Sequence, residues 1–272
     1  MTEADEPVIP LCDNCVSGYV HQGTTVGTEQ KIGDLDCYVS FPSTKSKAKT
    51  IVFLHDMFGW KFINNRLLAD QYASNGFYVV MPDLFVGDVV PDDLADKLHP
   101  ERPSELSLVK KTVNKCSAMM FGTGLLFRHR DVVTRPIINK FIGDFKSNEP
   151  GVGSIGVVGF CWGGRHAALL GSNEHVTSVF LCHPSMISFP SEIEQITKPV
   201  GIGAAEKDAM FPKARCDKSE EIFRRKNLKH DVKVYTNVEH GWSVRADLNN
   251  HDSVVKKEEI AKQVIDWFKS TL

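Results

Sequence analysis

No run of apolar residues in this chain approaches the ~20 needed to cross a bilayer as a helix. Neither sign of charge is in excess: 32 Lys and Arg stand against 34 Asp and Glu, for a formal net charge of −2. That balance leaves no electrostatic footprint for nucleic acid or an anionic membrane. Internal repeats, low-complexity tracts and Gly- or Pro-rich linkers are also missing, so disordered and fibrous classes are excluded. The first residues, MTEADEPVIPLCDNC, are acidic and proline-bearing, unlike a secretory or mitochondrial leader. These absences predict a soluble cytoplasmic protein with neither membrane nor nucleic-acid partner.

Cysteine is sparse as well. The seven, at 12, 15, 37, 116, 161, 182 and 216, are an odd set without the density of a disulfide scaffold. Cys12 and Cys15 form a C-x-x-C pair, which invites a zinc or redox reading. A structural zinc site wants four ligands, however, and no second pair stands nearby in sequence. A thioredoxin-type pair should open a helix after a strand, whereas this one falls in an N-terminal coil. The expectation is a surface segment, with neither metal nor cofactor bound.

What is present is alternation. Short β-branched and aromatic runs at Leu35–Phe41, Thr50–His55, Phe77–Met81, Ser154–Phe160, Val176–Cys182, Pro199–Ala205 and Asp231–Thr236 read as strands. Several, such as IVFLH and IGVVGF, are continuously apolar, as in strands covered by helices on both faces. Helix-length amphipathic stretches fall between them, at about 62–75, 104–117, 130–147, 162–171, 213–227 and 253–270. The pattern predicts one α/β domain over residues 1–272, a mostly parallel doubly wound sheet flanked by helices. Residues 1–30 form an N-terminal extension packed on or beside it. An Asp- and Pro-rich loop at roughly 85–103 is placed to edge an active site.

The segment SIGVVGFCWGG, residues 154–164, carries the chemistry. A buried strand runs into Gly159-Phe160-Cys161-Trp162-Gly163, with a helix following from Trp162. This is the G-x-nucleophile-x-G elbow of an α/β-hydrolase, with Cys in place of Ser. The nucleophile sits in a strained turn, so small residues two before and two after it avoid clashes. A helix N-terminus favours a thiolate, and the Trp162 N–H is left to donate to an oxyanion. Downstream, strand PVGIGAA ends in Glu206-Lys207-Asp208, and the next strand is followed by Glu239-His240-Gly241-Trp242. The chain order nucleophile, acid, histidine is that of α/β-hydrolases. His240 is the candidate base, and both Glu206 and Asp208 are candidates for its acidic partner. His55 and His183 read as pocket walls and His166 as part of the elbow helix. His21, His99, His129, His175, His230 and His251 read as surface residues.

With GFCWGG at 159–164, HDMFGW at 55–60, PDLF at 82–85, AAEKDAMFP at 204–212 and EHGW at 239–242, the chain resembles the dienelactone hydrolase (carboxymethylenebutenolidase) family. The matches run in family order over about residues 30–270. The resemblance implies a catalytic triad of Cys161, His240 and Asp208, and an oxyanion hole of the Met57 and Trp162 amides. It further implies that Asp56 approaches and tunes the thiol, where bacterial members carry Glu. Of the arginines that hold a substrate carboxylate in bacterial members, one is replaced here by Val86-Gly87, while Arg245 matches another. Arg102 and Arg165 are other arginines that could serve.

The expected function is hydrolysis of a small, carboxylate-bearing ester or lactone through an acyl-thioester, by a monomer or dimer without cofactor. The expected most reactive thiol is Cys161. Two other classes fit the same residues: a silent hydrolase-fold small-molecule binder, and a thiol redox sensor in which Cys182 would resolve Cys161.

Overall fold

The computed structural model describes residues 4–8, 11–88 and 107–272. Eight strands share one sheet: β1 (Thr28–Ile32), β2 (Leu35–Ser40), β3 (Lys49–Leu54), β4 (Tyr78–Pro82), β5 (Ser154–Phe160), β6 (Ser178–Cys182), β7 (Val200–Lys207) and β8 (His230–Glu239). Their spatial order is β1-β2-β4-β3-β5-β6-β7-β8. The β1–β2 and β2–β4 pairs are antiparallel, and every pairing from β4 through β8 is parallel. β1 escapes the hydrophobic pattern because TEQKI is an edge strand, exposed at its first four positions.

Continuous apolar strands arise because both faces are covered. Successive residues of β3 divide between the two layers: Val52 and Leu54 join one core cluster, Ile51 and Phe53 the other. On β5, Ile155 and Val157 face one side, Val158 and Phe160 the other. The first layer holds helices α3 (Asp131–Asn148), α4 (Trp162–Leu169) and α6 (Lys213–Arg225). The second holds α1 (Ile63–Ser74) and the C-terminal α8 (His251–Thr271), whose Ile260, Val264, Trp267 and Phe268 are buried. Between them in sequence lie α2 (Leu108–Arg128) and the short α5 (Ser191–Glu194) and α7 (Trp242–Arg245). The expected helix near 104–117 is therefore longer, and begins later, than its sequence pattern indicated. Most of the loop at roughly 85–103, with His99 and Arg102, lies outside the described residues. No helix among the described residues is long and apolar enough to cross a membrane.

The N-terminal extension is not a surface coil. Cys15 and Val16, in a 3-10 turn at Asp13–Val16, are buried. Asn64 on α1 clamps the chain beyond that turn: its Oδ1 accepts from His21 N–H at 2.7 Å, and its Nδ2 donates to Tyr19 O at 2.8 Å and Val244 O at 2.9 Å. His21, read as a surface residue, is buried against Ala246 O. His129, read likewise, is buried and bonded to Asp88.

Candidate active site

The β5–α4 junction sets the geometry. Cys161 sits at φ 53°, ψ −114°, a region that an L-residue enters only at a cost of order 1–3 kcal/mol. Three backbone bonds hold it there: Cys161 N–H to Cys182 O at 3.1 Å, and Gly164 and Ser185 N–H to Cys161 O, both at 3.0 Å. The glycines are needed because backbones meet. A Cβ on Gly163 would stand 2.2 Å from Leu54 O, and one on Gly159 would stand 2.1 Å from Gly163 O. Close approach of α4 to the end of β3 brings Trp162 and the residues after Leu54 together. Neither the Trp162 nor the Met57 amide donates to a protein acceptor among the described residues.

β7 and β8, neighbours in the sheet, deliver the other two groups. His240 Nδ1 and Asp208 Oδ2 are 2.8 Å apart and buried. The other Asp208 oxygen accepts from Met210 N–H at 2.8 Å, which orients the carboxylate. Glu206 turns outward and accepts from Asn237 N–H, so Asp208 is the acid at the histidine. His240 Nε2 is buried and makes no hydrogen bond among the described residues. His183 stacks edge-on against His240 at 4.8 Å, with Nδ1 held by Ser243 Oγ at 3.0 Å, as a wall to the site.

The sulfur of Cys161 lies 3.5 Å from Ser185 Oγ, a neighbour with no signal in the sequence. Its thiol pKa is pulled well below the ordinary value, first by the Cys15 thiol, against burial, and then by the charges of His240 and Arg245. Burial alone would depress His240, but the Cys161 thiolate and Asp208 carboxylate outweigh it and raise its pKa well above the imidazole range. Both shifts run in the direction that favours a thiolate–imidazolium pair.

Two expectations change. Asp56 does not turn to the sulfur. One oxygen accepts from Phe58 N–H and Asn65 Nδ2, both at 3.1 Å, and the other is ion-paired with Arg245 Nη1. Arg245, expected to face a substrate carboxylate, is itself buried. Besides Asp56 it donates to Ser17 O at 2.8 Å and Asn14 O at 3.0 Å, and its guanidinium lies over Phe58. A buried aspartate captures the arginine because an unpaired charge of either sign would be costly there. Arg165 is likewise tied, to Asp131 and Glu192. Cys182, the expected resolving thiol, is sealed in β6, whereas Cys12 and Cys15 sit over the site.

A mostly parallel sheet with a strained strand-to-helix turn, and a histidine–aspartate pair delivered by the two strands beyond it, makes this an α/β-hydrolase. The dienelactone hydrolase family model matches residues 35–272. The chain belongs to that family and is a hydrolase of the ester and lactone class. It is 33% identical over 264 residues to hydrolase pyvD of Aspergillus violaceofuscus, covering 97% of this chain and 98% of that one. It is 31% identical over 260 residues to hydrolase tropI of Talaromyces stipitatus, covering 96% of each. A dienelactone hydrolase structure from Anabaena variabilis superposes with a TM-score of 0.57 at 13% identity, over 93% of this chain and 100% of that one.

Proposed function

We propose that the protein cleaves a compact, largely apolar ester or lactone by nucleophilic catalysis at Cys161. The observation that carries this reading is the strained Cys161 beside a buried His240 that is already fixed through Nδ1 by Asp208. The thiolate attacks the carbonyl carbon, forming a C–S bond, and the oxyanion rests on the Met57 and Trp162 amides. Collapse expels the alkoxide, which takes its proton from His240 Nε2 and leaves an acyl-thioester. His240, now neutral, deprotonates water, which adds to the thioester and releases the acid and the thiolate. Asp208 holds the ring and balances its charge in each half-reaction.

The substrate class rests on a cavity that borders the elbow at Trp162. A space of about 290 Å³ beside Trp162 has an apolar side of Leu11, Leu126, Phe127 and Met186 and a polar side that includes His129 and the ion-paired Asp131 and Arg165. Arg130 is the exposed cation at this wall, and Arg245 is committed to Asp56. An apolar or aromatic acyl or alkoxy group suits this lining, and a carboxylate is not required. Cys161 is only 2% exposed, so substrate reaches the sulfur when the Asp13–Val16 turn moves aside.

A p-nitrophenyl ester panel tests the mechanism. Cys161→Ala and His240→Ala are each expected to lower kcat by on the order of 10⁴-fold or more, and the double variant by little more than either. Asp208→Asn falls substantially while Glu206→Gln stays near wild type. Multiplicative losses in the double variant, or turnover surviving Cys161→Ala, would refute it.

A further inference from the structure

The mechanism leaves the C-x-x-C pair without a task, yet the fold brings it to the catalytic histidine. Cys12 and Cys15 lie at either end of one 3-10 turn, their sulfurs 3.0 Å apart. Those two sulfurs and a ring nitrogen of His240 all lie within 4.8 Å of one another. His240 Nδ1 is occupied by Asp208, so the nitrogen that remains is Nε2, buried and without a hydrogen-bond partner. The Cys161 thiol borders the same group, interacting with both Cys15 and His240.

We propose that Cys12, Cys15 and His240, with Cys161 as fourth ligand, form a zinc(II) site that closes the N-terminal extension over the catalytic centre. Three thiolates and one imidazole are the donor set of a tetrahedral structural zinc. They are too soft for calcium or magnesium. With Zn–S near 2.3 Å and Zn–N near 2.0 Å, ligand atoms around a tetrahedral ion stand ~3.5–3.8 Å apart. Cys12, Cys15 and His240, already within 4.8 Å of one another, need shifts of about 1 Å or less to reach that spacing, with the Cys12–Cys15 sulfurs opening slightly, and Cys161 travels farther to complete the set. The carboxylate bonded to Nδ1 is the usual support of a zinc-binding histidine, fixing the ring so that Nε2 points at the metal. The turn is also pre-positioned, because Arg245 holds the carbonyls of Asn14 and Ser17 on either side of Cys15.

Metal binding displaces the proton of His240 and that of each thiol still protonated. It consumes the same Nε2 lone pair and Cys161 thiolate that turnover uses, so metal-bound protein is inactive and shut, and chelation reopens it. The loss of activity rests on the catalytic reading of Cys161 and His240, whereas the site itself does not. In sequence the pair lacked a second pair of ligands; the fold supplies them from residues 161 and 240.

The test titrates full-length, thiol-reduced protein with Co²⁺, then with Zn²⁺ in competition with a chromogenic chelator. Expected are one cobalt per chain with thiolate charge-transfer and tetrahedral d–d absorption, displaced by zinc. Zinc inhibition of p-nitrophenyl acetate hydrolysis should exceed 10-fold and reverse with EDTA. Cys12→Ser and Cys15→Ser should each weaken zinc binding at least 10-fold, with inhibition scored against each variant's own metal-free rate. Cys161→Ser should keep the tetrahedral bands and lose part of the charge-transfer intensity. The absence of stoichiometric cobalt binding by wild type overturns the site, as does binding indifferent to Cys12 and Cys15. Full turnover with metal bound overturns ligation by His240. Failure of the catalytic reading would show separately, as turnover that survives His240→Ala in metal-free protein while wild type keeps its stoichiometric cobalt spectrum.

Discussion

Replacing Arg245 with Ala separates a structural arginine from a substrate anchor. In the folded protein its guanidinium neutralises Asp56, and both side chains are essentially inaccessible to water. Removing it strands a buried carboxylate, a change that typically costs about 3–5 kcal/mol. It also deletes the two hydrogen bonds to Ser17 and Asn14 carbonyls, so the upper part of that range is expected. For a chain of this length each kcal/mol moves Tm by roughly 2–4 °C, giving a fall of about 8–20 °C. The extension should loosen as well, read as faster amide exchange over residues 11–20. Asp56→Asn/Arg245→Met, which removes both charges, should recover much of the lost stability, because no unpaired ion remains. An Arg245→Ala protein with unchanged Tm and exchange, and a raised KM for carboxylate-bearing esters alone, would refute this assignment and restore the anchor.

Iodoacetamide should find Cys12 first, because it is partly exposed and its contact with Cys15 lowers its pKa to about 7. Cys161 should follow at a rate set by opening of the extension, while Cys37, Cys182 and Cys216, raised by burial, stay inert; prior labelling of any of these three would contradict the electrostatics. Because the Cys161 pKa is depressed and that of His240 raised, the active ion pair spans neutral pH, and kcat/KM should fall on acidification well below the ordinary thiol value of 9.0 and again at high pH, where His240 loses the proton the alkoxide needs. His240→Ala should move the acid limb of Cys161 alkylation upward, and an unmoved limb would show that the pair is not coupled. Gly163→Ala forces a methyl into Leu54 O and should cost about 1–3 kcal/mol together with most activity; a stable, active variant would mean that the elbow can relax. His166 is buried with its pKa lowered from 6.5 to about 3, so it folds neutral and protonates on unfolding. Its contribution is present above 6.5 and lost as pH falls toward 3, amounting to about 2 kcal/mol between roughly pH 7 and pH 5. Urea midpoints should show His166→Leu losing less stability over that interval than wild type, and equal losses would remove His166 as the cause.

Much of the architecture is local and therefore readable from sequence. Strands buried on both faces must be apolar throughout, so β3 to β7 announced themselves. The elbow was legible because its glycines answer a backbone collision two residues either side of Cys161. Chain order alone placed His240 behind an acid. Chain order could not separate Glu206 from Asp208, two residues apart; the family resemblance favoured Asp208, and Asp208 is the carboxylate that reaches His240. β1 was missed because an exposed edge strand of polar residues has no core to satisfy.

Contacts far apart in sequence were decided by the tertiary structure. Asp56 and Arg245, 189 positions apart, were each matched to a role at the substrate, but in a site shielded from water opposite charges find one another first. Cys12 and Cys15 looked like a tail because nothing adjacent in sequence completes a site. The sheet carries Cys161 and His240 to one end on separate strands, and the extension folds back across that end. Spacing along the chain shows which residues share a strand or a turn; which thiol lies over which imidazole depends on how the layers close, and that is a property of the packed molecule.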